Sequence, residues 1–144
     1  MGNKIKIMLV ILFCLITFTL SSQNLHLYGG KDHDVYLGCL TCNDYSSSSV
    51  WNEYTEYGNS YNTNSIWNEY GDYGNEYSNY SPWNESATYP PVVVDKDGVF
   101  YGYFTVNKYK DKRTEFKTAM IMYKYYDIIR DNVNVWYKKI FEQE

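Results

Sequence analysis

Tyr45-Ser-Ser-Ser-Ser-Val-Trp-Asn-Glu-Tyr-Thr-Glu-Tyr-Gly-Asn-Ser60 is followed by Tyr61-Asn-Thr-Asn-Ser-Ile-Trp-Asn-Glu-Tyr-Gly-Asp-Tyr-Gly-Asn-Glu76 and by Tyr77-Ser-Asn-Tyr-Ser-Pro-Trp-Asn-Glu-Ser-Ala-Thr-Tyr-Pro-Pro-Val92. These are three copies of one 16-residue unit. Six columns are identical in all three: Tyr45/Tyr61/Tyr77, Ser49/Ser65/Ser81, Trp51/Trp67/Trp83, Asn52/Asn68/Asn84, Glu53/Glu69/Glu85 and Tyr57/Tyr73/Tyr89. A repeat this short cannot bury its own apolar side chains, so neighbouring copies must cover one another. The first two copies share Tyr-Gly-Asn, at 57–59 and 73–75. The third has Tyr89-Pro90-Pro91 there, which reads as a terminating cap. Locally, Ser, Asn and Thr ahead of Ser-Ile-Trp-Asn suit a cap on one short helical turn. The Tyr-Gly-Asn suits a turn with positive φ. The expectation is loop, single turn, loop, with little regular structure.

The flanks repeat as well. Tyr36-Leu-Gly-Cys-Leu-Thr-Cys-Asn-Asp-Tyr45 aligns with Phe100-Tyr-Gly-Tyr-Phe-Thr-Val-Asn-Lys-Tyr109, pairing Gly38 with Gly102, Thr41 with Thr105 and Asn43 with Asn107 at four times the repeat period. Each flank follows a polar turn and an apolar run: Leu25–Tyr28 before Gly29–Asp34, and Val92–Val94 before Asp95–Gly98. Apolar runs separated by Gly and Asp clusters are the signature of β-hairpins. The sequence therefore predicts an α+β fold with two equivalent β-hairpins, 25–42 and 92–106, in one small antiparallel sheet. The three irregular repeats of 45–91 lie between them. Gly38 and Gly102 are expected where an aromatic ring crosses the strand. From Thr114 the period becomes helical: Phe116, Met120, Tyr123, Tyr126, Ile129, Val133, Trp136 and Ile140 form one stripe, broken at Asp131-Asn132. That gives C-terminal helices near 114–130 and 133–142.

The N-terminus has a different purpose. Lys4 and Lys6 precede an apolar run from Ile5 to Leu20, and Ser21, Ser22 and Gln23 follow. This is the layout of a secretory signal peptide over 1–22, and the run is shorter than a membrane span of ~20 residues. Phe13 before Cys14 does not suit lipidation, where a small residue normally precedes the cysteine. The expectation is an exported protein, periplasmic, cell-surface or extracellular, with a single domain over 23–144 and no membrane span after signal removal.

Removing Lys4 and Lys6 from the 13 basic residues leaves 11 against 17 acidic ones. Nucleic-acid binding needs clustered Lys and Arg, and this balance excludes it. Tyr45–Pro91 holds no Lys or Arg but carries Glu53, Glu56, Glu69, Asp72, Glu76 and Glu85, whereas Lys108–Glu144 is net basic. The simplest arrangement packs that tail near the acidic middle.

Leu37-Gly-Cys-Leu-Thr-Cys42, the Ser-Ile-Trp-Asn-Glu-Tyr-Gly repeat, Tyr89-Pro-Pro-Val92 and Phe100–Tyr109 together give a pattern over about residues 25–115. It resembles uncharacterised exported bacterial proteins with tandem Ser-Ile-x-Asn-Pro-Tyr-Gly-x-Tyr-Gly repeats. Glu53, Glu69 and Glu85 stand where such repeats often carry Pro. The resemblance implies fold and export, and no activity.

Candidate sites are few. Trp51, Trp67 and Trp83, with Asn52, Asn68 and Asn84, are either the core plugs of their repeats or a platform on which sugar rings stack. Periodicity favours the plugs, so the three indoles are expected in equivalent, mostly buried positions, each covering the next repeat or the sheet. Cys39 and Cys42 form C-x-x-C. In a continuous strand their Cα atoms would lie ~10 Å apart, beyond the ~4.4–6.8 Å of a disulfide. Either the chain turns at Thr41 and the bridge forms, or both are buried thiols. With His26 and His33 they also compose a possible tetrahedral zinc set, although the second hairpin has Tyr103 and Val106 instead of cysteines. Asp95-Lys-Asp-Gly98 reads as a hairpin turn; a calcium loop needs more ligands and a distal Glu. No catalytic residues emerge: there is no Ser-His-Asp order and no phosphate loop, and two histidines leave little scope for acid–base work. No cofactor is called for. The sequence favours a non-enzymatic exported structural or interaction module. A glycan- or cell-wall-binding module is the alternative, and a small metal or redox protein the third reading. The partner classes it admits are a polysaccharide or another envelope protein. Mass spectrometry of the exported protein is expected to place its first residue near Gln23, and a retained Met1 would refute this.

Overall fold

The computed structural model describes residues 23–143, so the signal-peptide reading of 1–22 lies outside the described residues. Four strands, β1 (His26–Gly29), β2 (Val35–Cys39), β3 (Val92–Val94) and β4 (Phe100–Tyr103), form one antiparallel sheet in the order β2-β1-β3-β4. Two helices follow, α1 (Lys117–Ile129) and α2 (Val133–Phe141). The fold is α+β, with the small sheet, the intervening repeats and the C-terminal helices in the anticipated order.

The two hairpins are related by an approximate twofold between β1 and β3, where Leu27 opposes Val93. Leu27 pairs Gly38 and Val93 pairs Gly102, and in each hairpin one residue beyond the glycine, Leu37 or Tyr101, is bulged out of register. Both glycines have strongly positive φ, 106° and 121°, a conformation only glycine adopts without strain. The expected aromatic crossing is corrected. At Gly102 the returning backbone of Lys112 and Thr114 fills the space, and at Gly38 it is Tyr57 Cβ and the Val50 side chain together with the Ser48 carbonyl. That return makes a matched pair of parallel bridges, Cys39–Ser49 and Tyr103–Arg113.

The helical turn expected at Ser-Ile-Trp-Asn is a β-turn instead, which corrects the sequence reading. The repeats are a succession of hydrogen-bonded β-turns, with N–H groups of Ser46, Ser49, Asn52 and Thr55 each bonded three residues back, and then a wider step from Asn59 to Thr55. Asn62, Ser65, Asn68 and Gly71 repeat the series. Short polar side chains hold each turn. Ser49, Ser65 and Ser81 accept the N–H of Trp51, Trp67 and Trp83 at 3.0–3.2 Å. Such local bonds are why Ser and Asn compete with helix formation. Gly58 and Gly74 sit where a β-carbon would collide with the carbonyls of Asn52 and Asn68, so the chain passes close over its own copy.

The indoles align along the repeats. Trp51, Trp67 and Trp83 are 1 %, 0 % and 3 % exposed, with centroids 5.7 and 5.6 Å apart. Each N–H donates to a carbonyl one layer back: Trp51 to Leu40, Trp67 to Val50 and Trp83 to Ile66, at 2.6–2.7 Å. The helices close the stack. Tyr126 of α1 lies parallel to Trp83 at 4.7 Å, and Tyr137 and Phe141 of α2 cover Trp51.

A truncated fourth copy precedes α1. Tyr109–Thr114 repeats the bonds of Tyr45–Val50: Lys110 N–H to Asn107 O and Arg113 N–H to Lys110 O match Ser46 to Asn43 and Ser49 to Ser46. Glu115 occupies the tryptophan column, so the stack cannot extend, and α1 begins at Lys117, later than anticipated, because Thr114 is still bonded to Tyr103. The helical stripe is also corrected: Ala119, Met122, Tyr123, Ile129, Val133 and Tyr137 are buried, while Met120 is exposed. The basic tail meets the acidic middle through one ion pair, Arg130–Glu69 at 3.4 Å. Lys108, Lys110, Lys124 and Lys139 lie over aromatic rings instead.

Trp67→Ala is expected to cost about 3–5 kcal/mol, the usual penalty for deleting a packed indole, and Gly74→Ala to destabilise through backbone collision. Tyr61→Ser, at an exposed column, is expected to stay within about 0.5 kcal/mol. Urea denaturation of the three variants checks this ranking.

Candidate functional site

Of the sequence-derived binding residues, Trp51, Trp67, Trp83 and Asn68 are buried, and Asn52 and Asn84 are half-buried. Rings of Trp51, Trp67 and Trp83 are covered on both faces by one another, by Phe104 and by the helices, so no indole offers a surface to a sugar. The asparagines are equally engaged. Asn52, Asn68 and Asn84 donate from Nδ2 to the carbonyls of Ser46, Asn62 and Ser78. Their Oδ1 atoms accept from the N–H of Tyr54, Tyr70 and Ser86. The tryptophan ladder is thus packing, as the periodicity favours, and not a stacking platform, because periodic core positions must recur at the same column.

Cys39 and Cys42 form a disulfide with Cα atoms 5.5 Å apart. Strand β2 ends at Cys39 and the chain turns before Cys42, whose N–H points to Cys39 Sγ. The bridge is buried and leaves no thiolate. His26 Nδ1 is bonded to the Tyr36 hydroxyl at 2.8 Å, and His33 Nε2 to the Pro90 carbonyl at 3.0 Å. Among the described residues no group of three or more His, Cys, Asp or Glu is placed to hold a metal, so the four candidate ligands do not make a zinc centre. Asp95-Lys-Asp-Gly98 is a turn, its Asp95 Oδ1 accepting the N–H of Asp97 and Val99.

Two surfaces are formed that sequence reasoning did not name. One is a set of outward tyrosines. Tyr45, Tyr54, Tyr61, Tyr70, Tyr77 and Tyr109 are 84–87 % exposed. Each follows an asparagine by two residues, and the asparagine Oδ1 accepts its N–H at 2.8–3.1 Å. The Asn-x-Tyr spacing was the available signal. The other surface is the free face of the sheet, a concavity of about 410 Å³ lined by His26, Tyr28, His33, Tyr36, Val92 and Val94, with the Asp95 turn at one end. Its volume is in the range of small-molecule sites. Tyr28 and Tyr36 pack at 5.2 Å and His26 lies 5.7 Å from Tyr36.

The chain matches no known protein family, no curated protein and no solved structure. Function must be argued from these surfaces alone.

Their electrostatics are mild. Burial holds the His26 imidazole below its ordinary value, partly countered by Asp95. Asp95 is itself pulled up by burial, but the N–H groups of Val99 and Asp97 and the Tyr101 hydroxyl more than reverse this and leave it low. His26 is therefore neutral at neutral pH. Its folded-state pKa lies under the unfolded value of about 6.5, so the unfolded chain binds more protons in that window. Stability is expected to fall as pH drops from about 6.5 through the folded value. His26→Val is expected to flatten that part of the profile of melting temperature against pH.

Proposed function

We propose that this chain is a non-enzymatic, exported interaction module that meets a macromolecular partner of the cell envelope through its outward tyrosines. The observation that carries this reading is the exposure of six tyrosines at repeat-defined positions where the turn requires no ring. The third copy shows the point: Ser86 stands in the column of Tyr54 and Tyr70, and its N–H makes the same bond to the preceding asparagine. A phenol there contributes nothing to the turn, and an exposed ring of this size is hydrated at a cost.

Tyrosine presented on a stiff backbone is efficient for recognition. It supplies large amphipathic contact area while ordering only two side-chain torsions. The surface composition, Tyr with Ser, Asn and Gly, matches that of protein paratopes. The asparagine bonds restrain the tyrosine backbones in advance of binding, which lowers the entropic cost of association. Interspersed Glu53, Glu56, Glu69, Asp72, Glu76 and Glu85 with no Lys or Arg between Tyr45 and Pro91 make the surface repel polyanions. Export is supported by the layout of residues 1–22 and by the Cys39–Cys42 bridge, since disulfides persist in oxidising compartments.

Replacing Tyr45, Tyr54, Tyr61, Tyr70 and Tyr77 together with serine is expected to leave the melting temperature nearly unchanged. Retention on isolated cell envelopes is expected to fall about tenfold or more, roughly 1.4 kcal/mol. Equal retention of the folded variant, or no retention of the unsubstituted protein, would overturn the proposal. Proteinase treatment of the envelopes then separates a protein partner from a polysaccharide.

A further inference from the structure

The free face of the sheet departs from the symmetry of the sheet itself. The register makes Val92 the counterpart of His26, Val94 of Tyr28 and Phe100 of Tyr36. The second hairpin folds the same way with only hydrocarbon at these positions. Packing therefore does not require an imidazole and two phenols on the first. Across the central strands His26 opposes Val94 and Tyr28 opposes Val92, which sets an aromatic, hydrogen-bonding wall beside an apolar floor.

The polar atoms around that floor are specific. The Pro90 carbonyl can only accept, so His33 Nε2 carries the proton and donates. In the neutral ring His33 Nδ1 is then an acceptor. His33 Nδ1, His26 Nε2 and the Tyr28 hydroxyl make no hydrogen bond to protein among the described residues. Asp95 is largely engaged within its own turn, with Oδ1 accepting the N–H groups of Asp97 and Val99 and Oδ2 the hydroxyl of Tyr101. Lys96 and Asp95 are neighbours in the turn, so their formal charges sum to zero. The concavity has neither a surplus cation for a phosphate or carboxylate nor a free carboxylate for a cation.

An aromatic wall, a valine floor, neutral donors and acceptors at the rim and no net charge together select an uncharged ligand with one apolar face and hydroxyls at its edge. We propose that this face is a saccharide site in which a neutral pyranose ring packs on Tyr28 and Tyr36 beside Val92 and Val94. Its hydroxyls bond His33 Nδ1, His26 Nε2 and the Tyr28 hydroxyl. Aromatic rings with a polar tip suit this task because the ring covers the C–H face while the tip binds a hydroxyl. The site is separate from the outward tyrosines and does not depend on the reading given to them.

The test titrates the purified full chain with soluble cello- and chito-oligosaccharides, reading the imidazole resonances of His26 and His33 by NMR and the affinity by calorimetry. Oligogalacturonate and a proline-rich peptide are the competing probes. Saturable shifts of both imidazoles with at least one neutral oligosaccharide are expected. Tyr28→Val is expected to weaken binding about tenfold or more without loss of folding, since valine already occupies the counterpart position. Tyr61→Ser is expected to leave the affinity unchanged, which separates this site from the tyrosine rows. If Tyr28→Val does not fold, Tyr28→Phe, lacking only the hydroxyl, still reads the contact. Shifts confined to residues outside the concavity, undiminished binding by both Tyr28 variants, tighter binding of the anionic or peptide probe, or no binding of any neutral oligosaccharide would each overturn the proposal.

Discussion

A buried indole must place its N–H, and here each one is placed on the backbone of the layer before it. Trp51 reaches Leu40 of the first hairpin, Trp67 reaches Val50, and Trp83 reaches Ile66. The acceptor is in each later case the residue immediately before the preceding tryptophan. One bond therefore fixes both the spacing and the rotation of successive copies. The ladder starts on the first hairpin and ends on the second, where Val106 N–H bonds the Pro82 carbonyl. Both ends of the stack are tied to the same sheet, which is why hairpins 64 residues apart in register pair directly through β1 and β3.

The period follows from how the chain travels between rungs. Most steps are β-turns advancing three residues, and one in each of the first two copies, Thr55–Asn59 and Gly71–Asn75, advances four. Apart from the bridge of Ser48 and Val50 to Cys39, such a path offers its backbone groups few strand or helix partners. Ser and Asn side chains supply the missing bonds, as buried backbone groups require. This is also why serine, asparagine and tryptophan are among the six invariant columns. Arg113, in the serine column of the truncated copy, bonds the Val106 carbonyl as Ser49 bonds that of Cys42.

The functional consequence is a division of labour among aromatic rings that look alike in composition. Tryptophan, with a single donor and a large apolar area, goes inward where a carbonyl awaits it. Tyrosine at the turn corners goes outward on backbones held by asparagine, and tyrosine on β1 and β2 lines a concave sheet face. The acidic residues at the corners keep the outward surface soluble in spite of its exposed rings, because like charge discourages self-association.

The sequence by itself determined the features that depend on local or periodic information. It specified the repeat and its columns, the two hairpins with their glycines, the break between the helices at Asp131-Asn132, and the polar turn at Asp95–Gly98. Local chemistry suffices there, since turn residues and side-chain period act within a few residues of one another. Periodicity favoured inward-facing Trp51, Trp67 and Trp83 over an exposed platform, but it could not say which rings and carbonyls meet them until their neighbours are placed. It could not tell Met120 from Met122 at the helix interface, since a step of three or four leaves the stripe free to drift until Trp83 and Phe104 present a surface to it. The Cys39–Cys42 bridge needed the strand to end where the returning chain pairs with Cys39. The concave face needed β1 and β3 side by side, bringing His26 and Tyr28 beside Val94 and Val92 across more than 60 residues of chain. Only tertiary structure decides such contacts, because they depend on which surfaces remain once the elements have packed together.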